Sequence, residues 1–431
     1  MSKGSSTGVA APGMPARFAP AITALALGLL GALVWEAVPP PGVWHDDGAY
    51  LLLGESLAEG DGLHYSRVSG SPPGAKFPPL YPVVLAGLWK LSPMAVGQGS
   101  LASLLNVMFI AVAGGVFVAY LCSLGFRTRG AVVTTILLFL IPDVWRLAMV
   151  PLSEPLCVLA LAVALWMGSR LEEAPTWGAL GIFLVSFAVA YHVRTMGLVL
   201  AVAVPVALLL RGYWIWAART VVSAFLVVTP WMLWSGRAAV AIPGSLRDTL
   251  GPYGGWLTSQ ALGEGTGYLS GMAIRLVTLG GRIGTLLFPG VNGLTGIVVA
   301  IVAVAVMSLG AHRLWRHSRS LVLVGALLTG LLWLWPYQEV RLIVPLVPVL
   351  GTILVAGFLP DLEALVSAVR RRGSRPGART VGIGAFGFLW ILWLGGASAR
   401  TLQAGGHLEA LGVRTRMLAR AVQAVEQRVP P

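Results

Sequence analysis

Two adjacent carboxylates, Asp46 and Asp47, follow directly after the first long apolar segment of the chain. They belong to the stretch HDDGAYLLLGESLAEGDGL at 45–63, which gathers acid in a sequence that has few charges. A neighbouring like charge raises the proton affinity of a carboxylate, so one of the pair could act as a general base. The simpler interpretation is that one of them caps a short helix and interacts with its dipole. We expect His45 beside them to be a surface residue rather than a ligand.

A third carboxylate and three cations complete the candidate residues. Glu154 stands in PLSEPL at the beginning of an apolar segment, where an acid costs free energy unless it faces a polar cavity or a partner. Its alternative role is to cap a helix at the interface. Lys76, Arg194 and Arg341 each stand at one end of an apolar segment, and each alone is typical of a side chain that extends to lipid headgroups. On one membrane face, three cations and a carboxylate cluster favour a site that binds phosphate and stabilises charge on a leaving group.

The composition places these residues in an integral membrane protein with several spans. The 431 residues are 56% hydrophobic and 11% charged, which leaves too few polar side chains to cover a water-facing surface. The net charge of +13 is spread in short runs between apolar segments, which indicates lipid headgroups and topology control rather than nucleic acid. Cys122 and Cys157 lie at or inside the apolar segments without metal-ligand spacing, so neither a disulfide nor a zinc site is predicted.

The sequence predicts an all-α polytopic protein with about eleven transmembrane helices. The short loops FRTRG, RGYWIWAAR, HRLWRHSR and RRRGSRPGAR have roughly twice the Lys and Arg density of the other side, which places them in the cytoplasm with the N-terminus. The first span reads as an uncleaved anchor rather than a signal peptide. The predicted spans are 18–39, 100–121, 131–148, 153–169, 177–193, 195–210, 219–234, 284–311, 320–335, 341–359 and 381–398.

The transmembrane domain is therefore predicted over 18–398, with two long extracytoplasmic loops at about 40–99 and 235–283. The first loop holds the acidic stretch, and all the candidate residues lie on its side of the membrane. Within it we predict a helix over about 48–59, ended by GDG, and a second helix after the Pro-Pro of KFPPLYPVVLAGLWKL that lies in the membrane interface. Residues 1–17 are predicted to be a disordered cytoplasmic N-terminus, and 399–431 an amphipathic tail on the membrane surface.

The order of these motifs resembles the C-type glycosyltransferase superfamily. The elements that carry the resemblance are DDGAY at 46–50 and KFPPLY at 76–81, followed by SEPL at 153–156, HVRTMGL at 192–198 and VRLIVPLVP at 340–348. The chain is most similar to the branch of protein O-mannosyltransferases and lipid A aminoarabinose transferases, and the resemblance covers roughly 18–360. It departs from the family in having Asp-Asp for Asp-Glu, an additional Phe77, and Leu342 in place of a tyrosine. The outer domain of many relatives is reduced to the tail.

The resemblance implies an inverting transfer of a sugar from a polyprenyl-phosphate donor to a hydroxyl of a glycan, lipid or protein. The reaction would take place on the extracytoplasmic face of the plasma membrane. Asp46 matches the base that deprotonates the acceptor, and Glu154 matches a second acid. Lys76 and Arg194 match cations near the lipid phosphate, and Arg341 is placed near the same phosphate. Asp47 is grouped with the catalytic acids, and the tyrosines of these motifs are taken to line the substrate pocket: Tyr50, Tyr81 and Tyr337. No cofactor is implied, although the carboxylates at 46, 47 and 154 could hold a divalent metal.

The alternative from another class is a secondary transporter or a lipid flippase that uses acids as proton relays. It predicts ionisable residues near mid-membrane, paired broken helices and inverted repeats, whereas this sequence has its ionisable residues at helix ends and no repeat. The sequence contains no Walker A motif, nucleotide fingerprint, His/Cys metal cluster or Gly-x-Ser-x-Gly elbow, which argues against a nucleotide-consuming pump. A non-enzymatic assembly factor for the envelope is neither supported nor opposed.

Overall fold

The computed structural model describes residues 16–34, 41–42, 46–254, 266–291, 293–335, 339–370 and 377–404. In these ranges the regular structure is helical, and strand pairing is limited to one isolated bridge between His64 and Pro73. The predicted all-α polytopic architecture is confirmed.

The α-helices are numbered here in chain order. The first half of the chain contains α1 (Ala19–Val34), α2 (Asp46–Glu59), α3 (Leu80–Leu91), α4 (Pro93–Gly97), α5 (Ser100–Ser123), α6 (Thr128–Phe139), α7 (Pro142–Ala148), α8 (Glu154–Glu173), α9 (Trp177–Val193) and α10 (Leu200–Leu210). The second half contains α11 (Trp214–Ala241), α12 (Arg247–Leu250), α13 (Thr266–Leu287), α14 (Gly293–Leu314), α15 (Arg319–Leu334), α16 (Val340–Ile343), α17 (Val347–Arg370) and α18 (Ala378–Ala404). A 3₁₀ turn at Thr195–Val199 precedes α10.

The described part of every predicted span is largely helical, but the helices differ in length. Within the described residues, six segments are long and apolar enough to cross a membrane by themselves: α5, α8, α11, Ile297–Leu314, Val340–Ala368 and Ala378–Ala397. A seventh span results if α6 and α7 are counted together, since they bend by 64° across a short break. Pro142 begins α7 and explains the break, because proline cannot continue the preceding helix. The remaining predicted spans are shorter apolar helices.

One predicted span has the wrong boundaries, and one predicted loop is partly helical. The span predicted at 284–311 is divided, because α13 ends at Leu287 and α14 begins at Gly293. Pro289 and Gly290, which has a φ of +79°, lie in the turn between them. The predicted outer loop at 235–283 contains the end of α11 and most of α13. Hydropathy alone did not indicate α13, because glycines and two arginines interrupt its apolar residues.

Close helix packing sets the arrangement of the second half. A Cβ on Gly310 of α14 would lie 1.8 Å from Ile353 O, and a Cβ on Gly357 of α17 would lie 2.1 Å from Val306 O. The backbones of α14 and α17 are therefore in direct contact, which small residues permit between membrane helices. Arg313 secures this contact because its Nη1 donates to Gly357 O at 2.7 Å.

A buried carboxylate ties together the helix ends that the charge pattern places in the cytoplasm. Glu172, near the end of α8, is completely buried, and its Oε1 accepts from Arg211 Nε at 2.7 Å. Its two oxygens also accept from the backbone amides of Arg319 and Ser320, each at 3.0 Å. Glu172 therefore neutralises one cation and caps the first turn of α15.

We expect Glu172→Ala to lower the free energy of unfolding by about 3–5 kcal/mol, because it leaves Arg211 without its charged partner and the backbone amides of Arg319 and Ser320 without acceptors. The measurement is denaturant-induced unfolding in detergent. Glu173→Ala is the matched control, since its side chain is exposed at the next position. Equal stability of the two variants would contradict the role given to Glu172.

Candidate functional site

Asp46 is the first residue of α2, and the fold brings it to Arg341 of α16. Arg341 Nη1 donates to Asp46 Oδ2 at 2.7 Å, although the two residues are 295 positions apart. Both side chains are largely buried, at 5% and 12% exposure. Arg341 Nε also donates to the half-exposed carboxylate of Glu339. Asp46 is therefore held as a paired carboxylate at the N-terminus of a helix.

A second buried ion pair joins Glu154 to Arg194. Glu154 is the first residue of α8, and Arg194 has an extended backbone between α9 and the following 3₁₀ turn. Arg194 Nη1 lies 2.8 Å from Glu154 Oε1 and donates a hydrogen bond to Ser153 Oγ at 2.9 Å. Ser153 and Glu154 are completely buried, and Arg194 is 8% exposed.

This second pair leaves hydrogen-bonding capacity unused. The contact between Nη1 and Oε1 is close, but its geometry is not that of a hydrogen bond, and neither oxygen of Glu154 accepts a hydrogen bond from the described residues. Arg194 uses only Nη1, so its Nε and Nη2 have no partner among the same residues. Nε and Nη2 form the parallel edge of a guanidinium that fits two oxygens of a phosphate or carboxylate.

Lys76 lies beside both ion pairs. Its Nζ donates to Thr249 O at 3.2 Å and lies 5.3 Å and 5.4 Å from the ring centroids of Phe77 and Tyr253. It is within electrostatic range of Asp46, Arg341 and Arg194. Burial lowers the pKa of the Lys76 ammonium, and the nearby Asp46 carboxylate opposes part of that shift. The five residues Asp46, Lys76, Glu154, Arg194 and Arg341 are called the ionic cluster below.

Aromatic rings form one wall of the ionic cluster. Tyr50 OH lies 2.8 Å from Ser153 Oγ, and its ring contacts Phe77 and Tyr81 at centroid distances of 4.6 Å and 5.0 Å. The additional Phe77 also contacts Tyr253 at 6.3 Å, so it fills the space between two tyrosines. Tyr81 OH donates to the buried Asn106 Oδ1 at 3.3 Å, one layer behind Tyr50. Tyr337 lies outside the described residues.

The other acids of the opening stretch have different surroundings. Asp47 is buried, and its two oxygens accept from the backbone amides of Gly42 and Gly48, each at 2.8 Å. Glu55 pairs with Arg67. The described residues contain no group of three or more His, Cys, Asp or Glu side chains that could hold a metal. The fold therefore does not group Asp46, Asp47 and Glu154 as ligands of one ion.

The sequence reasoning named every charged member of the ionic cluster but missed several of its neighbours. Ser153, Glu339, Tyr253 and Phe77 were not predicted as site residues. Ser153 precedes Glu154 directly, and a polar residue in an apolar stretch was the available signal. A cavity of about 240 Å³ lies elsewhere, lined by residues of 124–127, 313–317 and 356–363, at the ends of the helices that the charge pattern places in the cytoplasm.

Fold and site together define a polytopic helical membrane protein with a buried cluster of paired acids and cations. No family model and no curated protein matches the chain. Among solved structures, it is similar to the crystal structure of ArnT from Cupriavidus metallidurans bound to undecaprenyl phosphate. The identity is 17% and the TM-score 0.42, over 93% of this chain and 75% of that one. At this degree of similarity the function must be argued from the site itself.

Proposed function

We propose that this chain is an inverting glycosyltransferase that moves a sugar from a polyprenyl-phosphate-linked donor to an acceptor hydroxyl on the extracytoplasmic face of the plasma membrane. One observation supports it above the others. Two acids and three cations, drawn from five separate motifs, lie together in the ionic cluster. A reaction that expels a phosphate and removes a proton from a hydroxyl requires both kinds of group at one place.

The cations suit the leaving group of this reaction. The acceptor oxygen attacks the anomeric carbon from the face opposite the phosphate, the bond from that carbon to the phosphate oxygen breaks, and polyprenyl phosphate departs. Its departure adds negative charge to the phosphate, so cations rather than a general acid are needed. The unpaired Nε–Nη2 edge of Arg194 is suited to two phosphate oxygens, and Lys76 lies within electrostatic range to add a third contact.

Asp46 suits the other half of the reaction, since it takes the proton of the acceptor hydroxyl. In the structure, Arg341 holds this carboxylate in an ion pair. A donor phosphate in the cluster offers Arg341 a further anion beside Asp46 and Glu339, which weakens its hold on Asp46 and makes the carboxylate a better base. The arrangement therefore favours binding of the donor before the acceptor loses its proton.

The positions of the buried acids do not favour a transporter. Glu154 is the first residue of α8 and Glu172 is the last but one, so both lie at the ends of this helix. A proton relay through the membrane would require ionisable groups near its middle. In the proposed sugar transfer, Glu154 belongs to the reaction site at one end of α8, whereas Glu172 has a structural role at the other end.

Comparison of a wild-type strain with a deletion strain tests the proposal. Mass spectrometry of envelope glycans, lipids and glycoproteins should show one sugar-bearing species that disappears on deletion and returns with the wild-type gene. The corresponding polyprenyl-phosphate sugar should accumulate in the deletion strain. Purified protein in lipid nanodiscs should then release polyprenyl phosphate from that donor when the acceptor is supplied. If the purified protein does not consume the donor when the acceptor is supplied, the proposal is wrong.

The lowered pKa of Lys76 predicts a pH dependence of donor binding. The ammonium loses its proton at a lower pH than the ordinary value of 10.5, and above that point the donor phosphate loses one cation. We therefore expect the donor KM to rise with pH in the range below the ordinary lysine pKa of 10.5. Lys76→Arg is the comparison, because a guanidinium stays charged throughout this range and should give a donor KM that does not change with pH. A wild-type KM that is constant over the same range would contradict this assignment.

A further inference from the structure

Ser153 connects three parts of the chain at the ionic cluster. Its Oγ accepts from Arg194 Nη1 at 2.9 Å and lies 2.8 Å from Tyr50 OH. Tyr50 comes from α2, Ser153 precedes α8, and Arg194 follows α9. The hydroxyl is completely buried, so these contacts are not weakened by exchange with bulk water.

Ser153 does not use its hydroxyl as a helix cap. It occupies the position before α8 where serine commonly caps, but its side chain makes no capping hydrogen bond. Its backbone is also helical, with φ −78° and ψ −9°, whereas a capping residue usually has extended dihedrals. The hydroxyl is therefore committed to Tyr50 and Arg194 rather than to the helix that it precedes.

One hydroxyl hydrogen of Tyr50 and Ser153 is not used in the contacts of these two side chains. Ser153 and Tyr50 each carry one hydroxyl hydrogen, and only one of them can lie between the two oxygens. The other has no acceptor among the described residues, because the oxygens of Glu154 accept no hydrogen bond. Burial raises the pKa of Tyr50 well above its usual range, so its hydroxyl stays protonated. One hydroxyl hydrogen and the open edge of Arg194 are thus left as donors in one buried place.

We propose that Ser153 is a positioning residue for the donor phosphate: it fixes Arg194 through Nη1, which leaves the Nε–Nη2 edge for two phosphate oxygens, and it keeps one hydroxyl hydrogen of the Tyr50–Ser153 pair for a further phosphate oxygen. This inference rests on the proposed sugar transfer. Ser153 is uncharged and does not accept the proton, so its role is to position Arg194 for the donor phosphate.

Ser153→Ala tests the inference through the donor KM. Without the hydroxyl, Arg194 loses one of its two anchors, and we expect the donor KM to rise about tenfold. The acceptor KM should not change, since the base Asp46 keeps its partner. Ser103→Ala is the matched control, because Ser103 is also completely buried but its Oγ lies 2.8 Å from the carbonyl oxygens of Gly99 and Met149, away from the ionic cluster. That variant should lose comparable stability and keep the wild-type donor KM.

A double-mutant cycle separates positioning from a merely structural role. If Ser153 acts through Arg194, then Ser153→Ala should change the affinity for polyprenyl phosphate less than about twofold in an Arg194→Lys background. Binding of polyprenyl phosphate to the purified variants is the readout, so the test does not depend on residual activity. Fully additive effects, or a wild-type donor KM in Ser153→Ala, would overturn the inference. Absence of transfer by the wild-type protein would instead overturn the proposed function.

Discussion

Replacement of Asp46 by asparagine is expected to lower the kcat of sugar transfer by about 10²–10⁴-fold, because the amide cannot take the proton of the acceptor hydroxyl. The donor KM should stay the same or fall, since Arg341 loses a charged partner and becomes available to the phosphate. The measurement is steady-state release of polyprenyl phosphate by the purified variant, with its fold checked by circular dichroism.

The control for this substitution lies in the same helix. Glu59→Gln removes an exposed acid at the end of α2 and should leave kcat and donor KM at wild-type values. Asp47→Asn separates the two neighbouring acids, because its oxygens bind the amides of Gly42 and Gly48. We expect it to act mainly on stability. Full activity of Asp46→Asn, or an equal loss of kcat in Asp47→Asn, would remove Asp46 from its role as the base.

Replacement of Arg194 by glutamine is expected to affect stability and donor binding together. The carboxylate of Glu154 would be left completely buried without its cation, which should lower the free energy of unfolding by about 3–5 kcal/mol. The same change removes the guanidinium edge that we assign to the phosphate, so binding of polyprenyl phosphate should fall below detection. Unfolding in detergent and equilibrium binding of polyprenyl phosphate measure the two effects separately.

A second substitution distinguishes the two effects of Arg194→Gln. In the double variant Glu154→Gln/Arg194→Gln the uncompensated charge is absent, so most of the lost stability should return. Donor binding should not return, because the guanidinium is still missing. If Arg194→Gln binds polyprenyl phosphate with wild-type affinity, Arg194 serves only as a structural partner of Glu154. If the double variant remains as unstable as the single one, the buried pair is not the cause of the loss.

The helices that follow local rules were predictable from the sequence. The acidic helix was predicted over 48–59 and is observed at 46–59, because Asp46 and Asp47 suit its first turn and Gly60 ends it with a φ of +96°. The division of 284–311 was not predicted. Hydropathy does not show a break inside an apolar run, although Pro289 and Gly290 are residue types that commonly form turns.

The roles of the site residues depended on which parts of the chain meet. Asp46 and Asp47 are chemically identical and adjacent, so residue type did not distinguish them, and only the family resemblance pointed to Asp46 as the base. Successive helical residues point about 100° apart, so one side chain meets Arg341 and the other meets the chain before the helix. Ser153 was likewise not predicted as a site residue, since its contacts with Tyr50 and Arg194 join distant parts of the chain.

By itself the sequence determined the membrane class, the helical segments and the types of residue available for chemistry, because apolar length, proline and glycine act through local interactions. Only the tertiary structure decided which acid pairs with which cation and which guanidinium edge stays open. The two pairs of the ionic cluster, Glu154–Arg194 and Asp46–Arg341, join residues 40 and 295 positions apart, and their distances follow from helix packing, which no local pattern encodes.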